Sequence, residues 1–171
     1  MSILSKRIII CGTDTDVGKT IVSSFFVQGL KGVYWKPIQS GTEERTDTQT
    51  VCKILNLEPK RYLPERYKFK APVSPHWAAE KESKFIEPHN LYLPDLNQLI
   101  IIETAGGLMV PLNRNLLQID QLRVWQSPIV LVARTGLGTL NHTLLSLEAL
   151  RERNINILGI VLNGPPHNDN P

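Results

Sequence analysis

The sequence predicts an α/β fold, a mostly parallel sheet with helices on both faces, and three observations carry that prediction. Short apolar runs alternate along the chain with stretches whose apolar residues recur at helical spacing, the pattern of successive βαβ units. Some runs, such as Gln98-Leu99-Ile100-Ile101-Ile102-Glu103, are apolar without alternation, as in parallel strands covered on both faces. Finally, Cys11-Gly12-Thr13-Asp14-Thr15-Asp16-Val17-Gly18-Lys19-Thr20 links a strand to a helix through a glycine loop. Strand, glycine loop and helix form the context of a P-loop, so the fold is read as P-loop NTPase-like. With 171 residues, the chain (1–171) is the size of a single domain.

The elements follow in order. Arg7-Ile8-Ile9-Ile10-Cys11 is a β-branched strand, and residues 20–30 carry apolar side chains at helical spacing. A second strand spans residues 32–38 and ends at Pro37, which has no N–H to give to a ladder, and Gln39-Ser40-Gly41-Thr42 follows as a polar loop. Residues 47–57 then read as a helix through Val51, Ile54 and Leu55, with Thr46 or Asp47 as the N-cap. Between residues 59 and 97, Pro64, Pro72, Pro75, Pro88 and Pro94 interrupt every run, so short helices and ordered loops are expected. Pro75 suits the first turn of one such helix, capped by Ser74. After the strand ending at Glu103, Thr104-Ala105-Gly106-Gly107 reads as a turn. Residues 127–133 form the next strand, residues 139–153 a helix and residues 155–162 a last strand, with 167–171 as a frayed end.

Backbone N–H groups at a helix N-terminus lack intrahelical partners, and the helix dipole adds positive charge, so phosphate oxygens settle there. Gly18 lets the backbone approach the anion, Lys19 can reach the outer phosphates, and the Thr20 hydroxyl is placed for Mg²⁺. Five residues separate Gly12 from Gly18, one more than in the common motif.

Ligands of an open parallel sheet bind beyond the carboxyl ends of the strands. Those ends here carry the glycine loop, then Lys36 and Ser40, then Glu103, then Asn163. Glu103 stands where a Walker-B carboxylate holds nucleotide-bound Mg²⁺, and Asp47 is its best partner unless it is only a cap. Lys36 would stabilise charge developing on a transferring phosphoryl group. His76 and His142 lack ligand spacing and read as structural or substrate-orienting side chains.

A net charge of +3 with 20% charged residues gives no basis for nucleic-acid binding. Lys60-Arg61, Arg66-Tyr67-Lys68 and Lys70 read as a solvated loop face. Cys11 and Cys52 are too few for a disulfide framework and act as small apolar side chains, which fits a reducing, cytoplasmic compartment. The apolar run after Lys6 and Arg7 is too short for a signal peptide or a membrane span.

Several segments together resemble the dethiobiotin synthetase family. They are the loop from Gly12 to Thr20, Lys36-Pro37-Ile38-Gln39-Ser40-Gly41, Asp47, Ser74-Pro75-His76, Glu103-Thr104-Ala105-Gly106-Gly107, Leu137-Gly138-Thr139-Leu140-Asn141-His142 and Asn163. The resemblance implies a cyclo-ligase that uses MgATP and CO₂ to close the ureido ring of 7,8-diaminopelargonic acid through a phosphorylated carbamate. It implies Lys36, Lys19, Thr15 and Asp16 as catalytic residues and Thr20, Asp47 and Glu103 as the Mg²⁺ site. The implied nucleotide site comprises Asp16, Val17, Gly18, Lys19, Thr20, Ile21, Asp47, Glu103, Thr104, Ala105, Gly106, Asn163 and Gly164, with Asn163 reading the adenine edge. Ser40 would position the diamine or carbamate, while Gly138, Thr139, Leu140 and Asn141 would receive the substrate carboxylate across a homodimer interface.

Two departures are visible: Thr104 stands where the family has Gly, and the family pattern continues for a few tens of residues beyond the point where this chain stops. The competing readings are another P-loop ligase or amidase-type synthetase, a partition-type regulatory ATPase and a catalytically idle nucleotide-binding protein. Neither cysteine has the setting of a glutaminase nucleophile, Asp14 stands where a partition ATPase carries an extra lysine, and retention of Lys19 and Lys36 opposes idleness.

Overall fold

The computed structural model describes residues 6–165. Its strands and helices, in chain order, begin with β1 (Arg7–Gly12), α1 (Lys19–Gly29), β2 (Val33–Trp35), β3 (Ile38–Ser40) and α2 (Asp47–Leu55). Then come β4 (Tyr62–Leu63), β5 (Tyr67–Phe69), α3 (Pro75–Lys81), β6 (Ile100–Gly107), β7 (Pro111–Asn113) and β8 (Leu116–Leu117). The chain closes with α4 (Gln118–Trp125), β9 (Ile129–Arg134), α5 (Thr139–Glu152) and β10 (Ile157–Asn163). The terminal stretch expected to fray, 167–171, lies outside the described residues.

Six strands form the main sheet in the order β10-β9-β1-β6-β2-β4, and every pairing in it is parallel. Alternation along the strands sends successive side chains to opposite faces, and the two faces have separate cores. Ile9, Ile102 and Leu131 pack with Ala78 of α3, Leu122 of α4 and Leu150 of α5. Ile10, Ile101 and Val132 pack on the other side with Val22 and Val27 of α1 and Val51 of α2. Helices on both faces are thus what the uninterrupted apolar strands require.

β6 differs from its expected extent. Residues 104–107 continue the strand rather than turning, because they run alongside the end of β1, where Ile10 pairs with Glu103 and Gly12 with Gly107 across a register shift. That insertion of β6 between β1 and β2 sets Glu103 beside the glycine loop.

The expected strand over 32–38 is broken at Lys36 and Pro37, and Ile38 together with Gln39 and Ser40, the two expected in a loop, forms a separate strand paired in parallel with β5. The proline-interrupted region supplies the short strands β4 and β5 together with α3. Ser74 occupies the N-cap position of α3 but makes no side-chain cap hydrogen bond, while Thr46 caps α2 in a reciprocal box with Gln49. Arg61 is also not a solvated loop residue: its guanidinium donates to the carbonyls of Val27 and Gly32 and closes off the end of α1.

Candidate active site

The loop after β1 ends on Gly18, which caps α1 with φ 94°, in the left-handed region that favours glycine. A Cβ there would lie 1.9 Å from Asn163 Nδ2, because the Asn163 amide donates to the Val17 carbonyl at 3.0 Å. The last strand therefore braces the loop from its side. Asp16 also takes a positive φ, 56°. Lys19 is buried and folds back over the loop, donating to the Asp14 carbonyl at 2.7 Å.

Beyond the strand ends lies a cavity of about 290 Å³ lined by Thr15, Asp16, Gly18, Lys19, Thr20, Lys36, Asp47, Glu103 and Gly106. All nine are residues singled out from the sequence. Behind the loop a larger apolar cavity, of about 620 Å³, is bordered by Thr13, Asp14, Leu108, Met109, Val110 and Leu145 and shares no lining residue with the first.

The polar cavity is short of protons and rich in oxygen. Thr20 Oγ1 lies 2.9 Å from both Asp47 Oδ1 and Glu103 Oε1, yet carries one hydroxyl proton to offer them. Lys36 supplies the balancing charge: its ammonium is 2.5 Å from Asp47 Oδ2 and 3.0 Å from Glu103 Oε1. Burial opposes the charge on Lys36, but Glu103 and Asp47 outweigh it and hold the ammonium above its ordinary range. Burial likewise would raise Asp47, but Lys36 and the Thr20 hydroxyl hold its carboxyl below the usual value. Lys19 is lowered, first by burial and then by repulsion from Lys36. A phosphate anion in the cavity would relieve that repulsion.

Three oxygen donors on Thr20, Asp47 and Glu103 suit a hard cation. Among the described residues no group of three or more His, Cys, Asp or Glu could hold a metal alone, and two carboxylates leave the remaining positions to phosphate and water, as Mg²⁺ prefers. The site fits a nucleotide-bound Mg²⁺.

Other expected residues stand around this centre. Ser40 Oγ is buried at the end of β3 without a hydrogen-bond partner, and Ser40 is not among the residues lining the cavity. Thr104 is buried, its hydroxyl 3.5 Å from the Ile10 carbonyl, and Val17 belongs to the core beneath α1. Ala105 follows it on β6, Ile21 is exposed on α1, and Gly164 follows Asn163 with φ 141°. Gly138, Thr139, Leu140 and Asn141 are at the start of α5, outside the polar cavity, with the Thr139 hydroxyl committed to the Arg134 carbonyl.

Two participants escaped the sequence reading. Tyr34 donates its hydroxyl to Glu103 Oε2 at 2.9 Å. Gln39 accepts from the Asp47 N–H at 3.1 Å and donates to the Ser40 carbonyl. The polar side chain of Gln39 just after Lys36-Pro37 was the available signal for the second; the first had none.

This fold and cavity define a P-loop ATP-binding domain, and residues 6–171 match the AAA domain family. The kinase domain of the Escherichia coli tyrosine kinase ETK has a similar fold, with a TM-score of 0.52 at 19% identity over 98% of this chain and 71% of that one. Sequence relatives are more specific. The ATP-dependent dethiobiotin synthetase BioD of Rhodopseudomonas palustris (strain BisA53) is 48% identical over 96% of this chain and 77% of its own length. Its counterpart in Agrobacterium fabrum is 47% identical over 98% and 79%, and that of Brucella melitensis biotype 2 is 44% identical over 97% and 78%. The chain belongs to the dethiobiotin synthetase family of ATP-dependent cyclo-ligases that form carbon–nitrogen bonds.

Proposed function

We propose that this chain carboxylates 7,8-diaminopelargonic acid with CO₂ and closes the ureido ring at the expense of ATP, giving dethiobiotin, ADP and phosphate. The observation that carries the reading is the meeting of Lys19, Lys36, Thr20, Asp47 and Glu103 in one cavity. One amine adds to CO₂ and loses a proton, forming a carbamate. A carbamate oxygen attacks the γ-phosphorus and ADP departs, leaving a mixed anhydride. The second amine attacks the carbamoyl carbon, phosphate leaves, and a second N–H proton is lost.

Lys19 and the loop amides hold the triphosphate. Lys36 faces the carbamate and the transferring phosphoryl group, where its fixed charge matters most as negative charge moves between them. Thr15, Asp16 and the unpartnered Ser40 hydroxyl orient the diamine. Thr20, Asp47 and Glu103 hold Mg²⁺, which when bound neutralises triphosphate charge. Asn163, whose amide donates to the Val17 carbonyl of the loop, is assigned with Gly164 to the adenine edge.

The substrate carboxylate is assigned to the start of α5 in a second copy of the chain. Leu137, Leu140, Leu144 and Leu145 are all more than half exposed there, an apolar surface suited to a homodimer. Two free cysteines and the lack, among the described residues, of any helix long and apolar enough to cross a membrane accord with a cytoplasmic enzyme.

ADP release measured with diaminopelargonate and bicarbonate supplied singly and together tests the reading. Turnover is expected only with both, and hydrolysis at a comparable rate with neither would overturn it.

A further inference from the structure

Glu103 has two oxygens with different surroundings. Oε1 faces Thr20 and Lys36 in the cavity. Oε2 points the other way and accepts from Tyr34. Both residues are almost without solvent exposure, Tyr34 at 0% and Glu103 at 1%. The tyrosine ring is part of the core beneath α1 and α2, so its position is set by packing with Val22, Val51 and Ile101 rather than by the polar site.

A glutamate's terminal torsion is broad, and nothing in its own covalent geometry keeps one oxygen toward the cavity. The partners on Oε1 do not solve this. Thr20 divides one proton between two carboxylates, and the Lys36 ammonium is held there only while no other cation takes its place. The bond from Tyr34 lies on the far side and stays intact whether Lys36 or a divalent cation faces Oε1.

We infer that Tyr34 is a positioning residue of the metal–nucleotide site: its hydroxyl locks the Glu103 carboxylate so that Oε1 remains aimed at the cation as Lys36 gives way. The inference rests on the Mg²⁺-nucleotide reading of this cavity. Tyr34 touches neither phosphate nor substrate; it acts through Glu103. Without the hydroxyl, Oε2 is a buried acceptor with no donor, and the carboxylate turns to find one.

The test is equilibrium binding of Mn²⁺, counted as loss of the free-ion paramagnetic signal, to the full chain with saturating ADP. A parallel calorimetric titration follows ADP without metal. Tyr34→Phe is expected to raise the Mn²⁺ dissociation constant about tenfold, the size of one hydrogen bond to a charged group, and to leave metal-free ADP affinity within about twofold. Unchanged Mn²⁺ affinity overturns the inference, as does a parallel loss of metal-free ADP affinity, which would mark a general packing role. Wild-type protein that takes up no Mn²⁺ with ADP would bring down both the reading of the cavity and the inference.

A second comparison removes the folding cost of an unpaired buried carboxylate. Glu103→Gln and the double variant Tyr34→Phe/Glu103→Gln should bind Mn²⁺ alike, because the hydroxyl acts only through that carboxylate. A further loss in the double variant would show that Tyr34 acts by another route.

Discussion

The Lys36 ammonium lies 2.5 Å from the Asp47 carboxylate, bridging it to Glu103 inside the cavity that the phosphate loop forms. A buried lysine held between two carboxylates is a cation in the place proposed for the metal. Its charge holds the Asp47 carboxyl below its usual value, and in the proposed reaction it would turn toward the substrate when a metal takes its place between the two acids.

The two lysines should therefore fail differently. Lys36→Ala is expected to lower kcat by about two to three orders of magnitude, the scale of removing one donor aimed at developing charge, while leaving ATP affinity within severalfold. Lys19→Ala should damage both, because that ammonium sits on the loop itself. Calorimetric ATP binding beside steady-state kinetics distinguishes them, and equal losses of affinity would show that Lys36 is a loop residue in function.

Gly18 and Asn163 should be coupled. Gly18→Ala places a methyl 1.9 Å from the Asn163 amide nitrogen and keeps a side chain at φ 94°, so nucleotide binding should be largely lost. Adding Asn163→Ala removes the clash but not the backbone strain of about 1–2 kcal/mol, so nucleotide affinity should recover only in part. Full recovery in a binding titration would mean that the left-handed conformation costs nothing here.

Asp47 makes stability depend on acid. Its carboxyl is lowered in the native state from 3.8, against the opposing effect of burial, by Lys36 and Thr20. A lowered acid stabilises the fold fully above its unfolded value and loses that contribution as pH falls through the lower native one. The stability gap between metal-free wild type and Asp47→Asn, measured by urea unfolding, should hold steady from neutral pH down to 3.8 and close below it. A gap that stays constant to about pH 2 would contradict the assigned ion pair.

Cys11 should be inert. Burial pushes its thiol up to about 12, and its side chain is part of the core. At pH 8 roughly one thiol in ten thousand would be ionised, and only the thiolate reacts. Alkylation of native protein followed by mass spectrometry should modify Cys52, which is partly exposed, and reach Cys11 only on unfolding.

Much of the site was legible because P-loop chemistry is written in short range. Gly18, Lys19 and Thr20 are adjacent, and the strand before them and the helix after them have their own periodicities. Glu103 announced itself as a charge closing an apolar run, and Asp47 as a helix start, where the capping box formed by Thr46 and Gln49 sits. The short strands β3 to β5 were not legible, because two- and three-residue strands carry no period and exist only through their partners.

The sequence by itself determined the parallel α/β class, the phosphate loop and the identities of the charged groups, since each rests on local spacing and on side-chain chemistry. Only the tertiary structure decided how those charges meet. Lys36 reaches Glu103 across 67 positions and Tyr34 reaches it across 69, because β6 enters the sheet between β1 and β2. Asn163 braces a loop 146 positions away for a similar reason: β10 lies two strands from β1 and ends level with the loop. Strand order is a global outcome of covering both faces of the sheet at once, and no local window contains it.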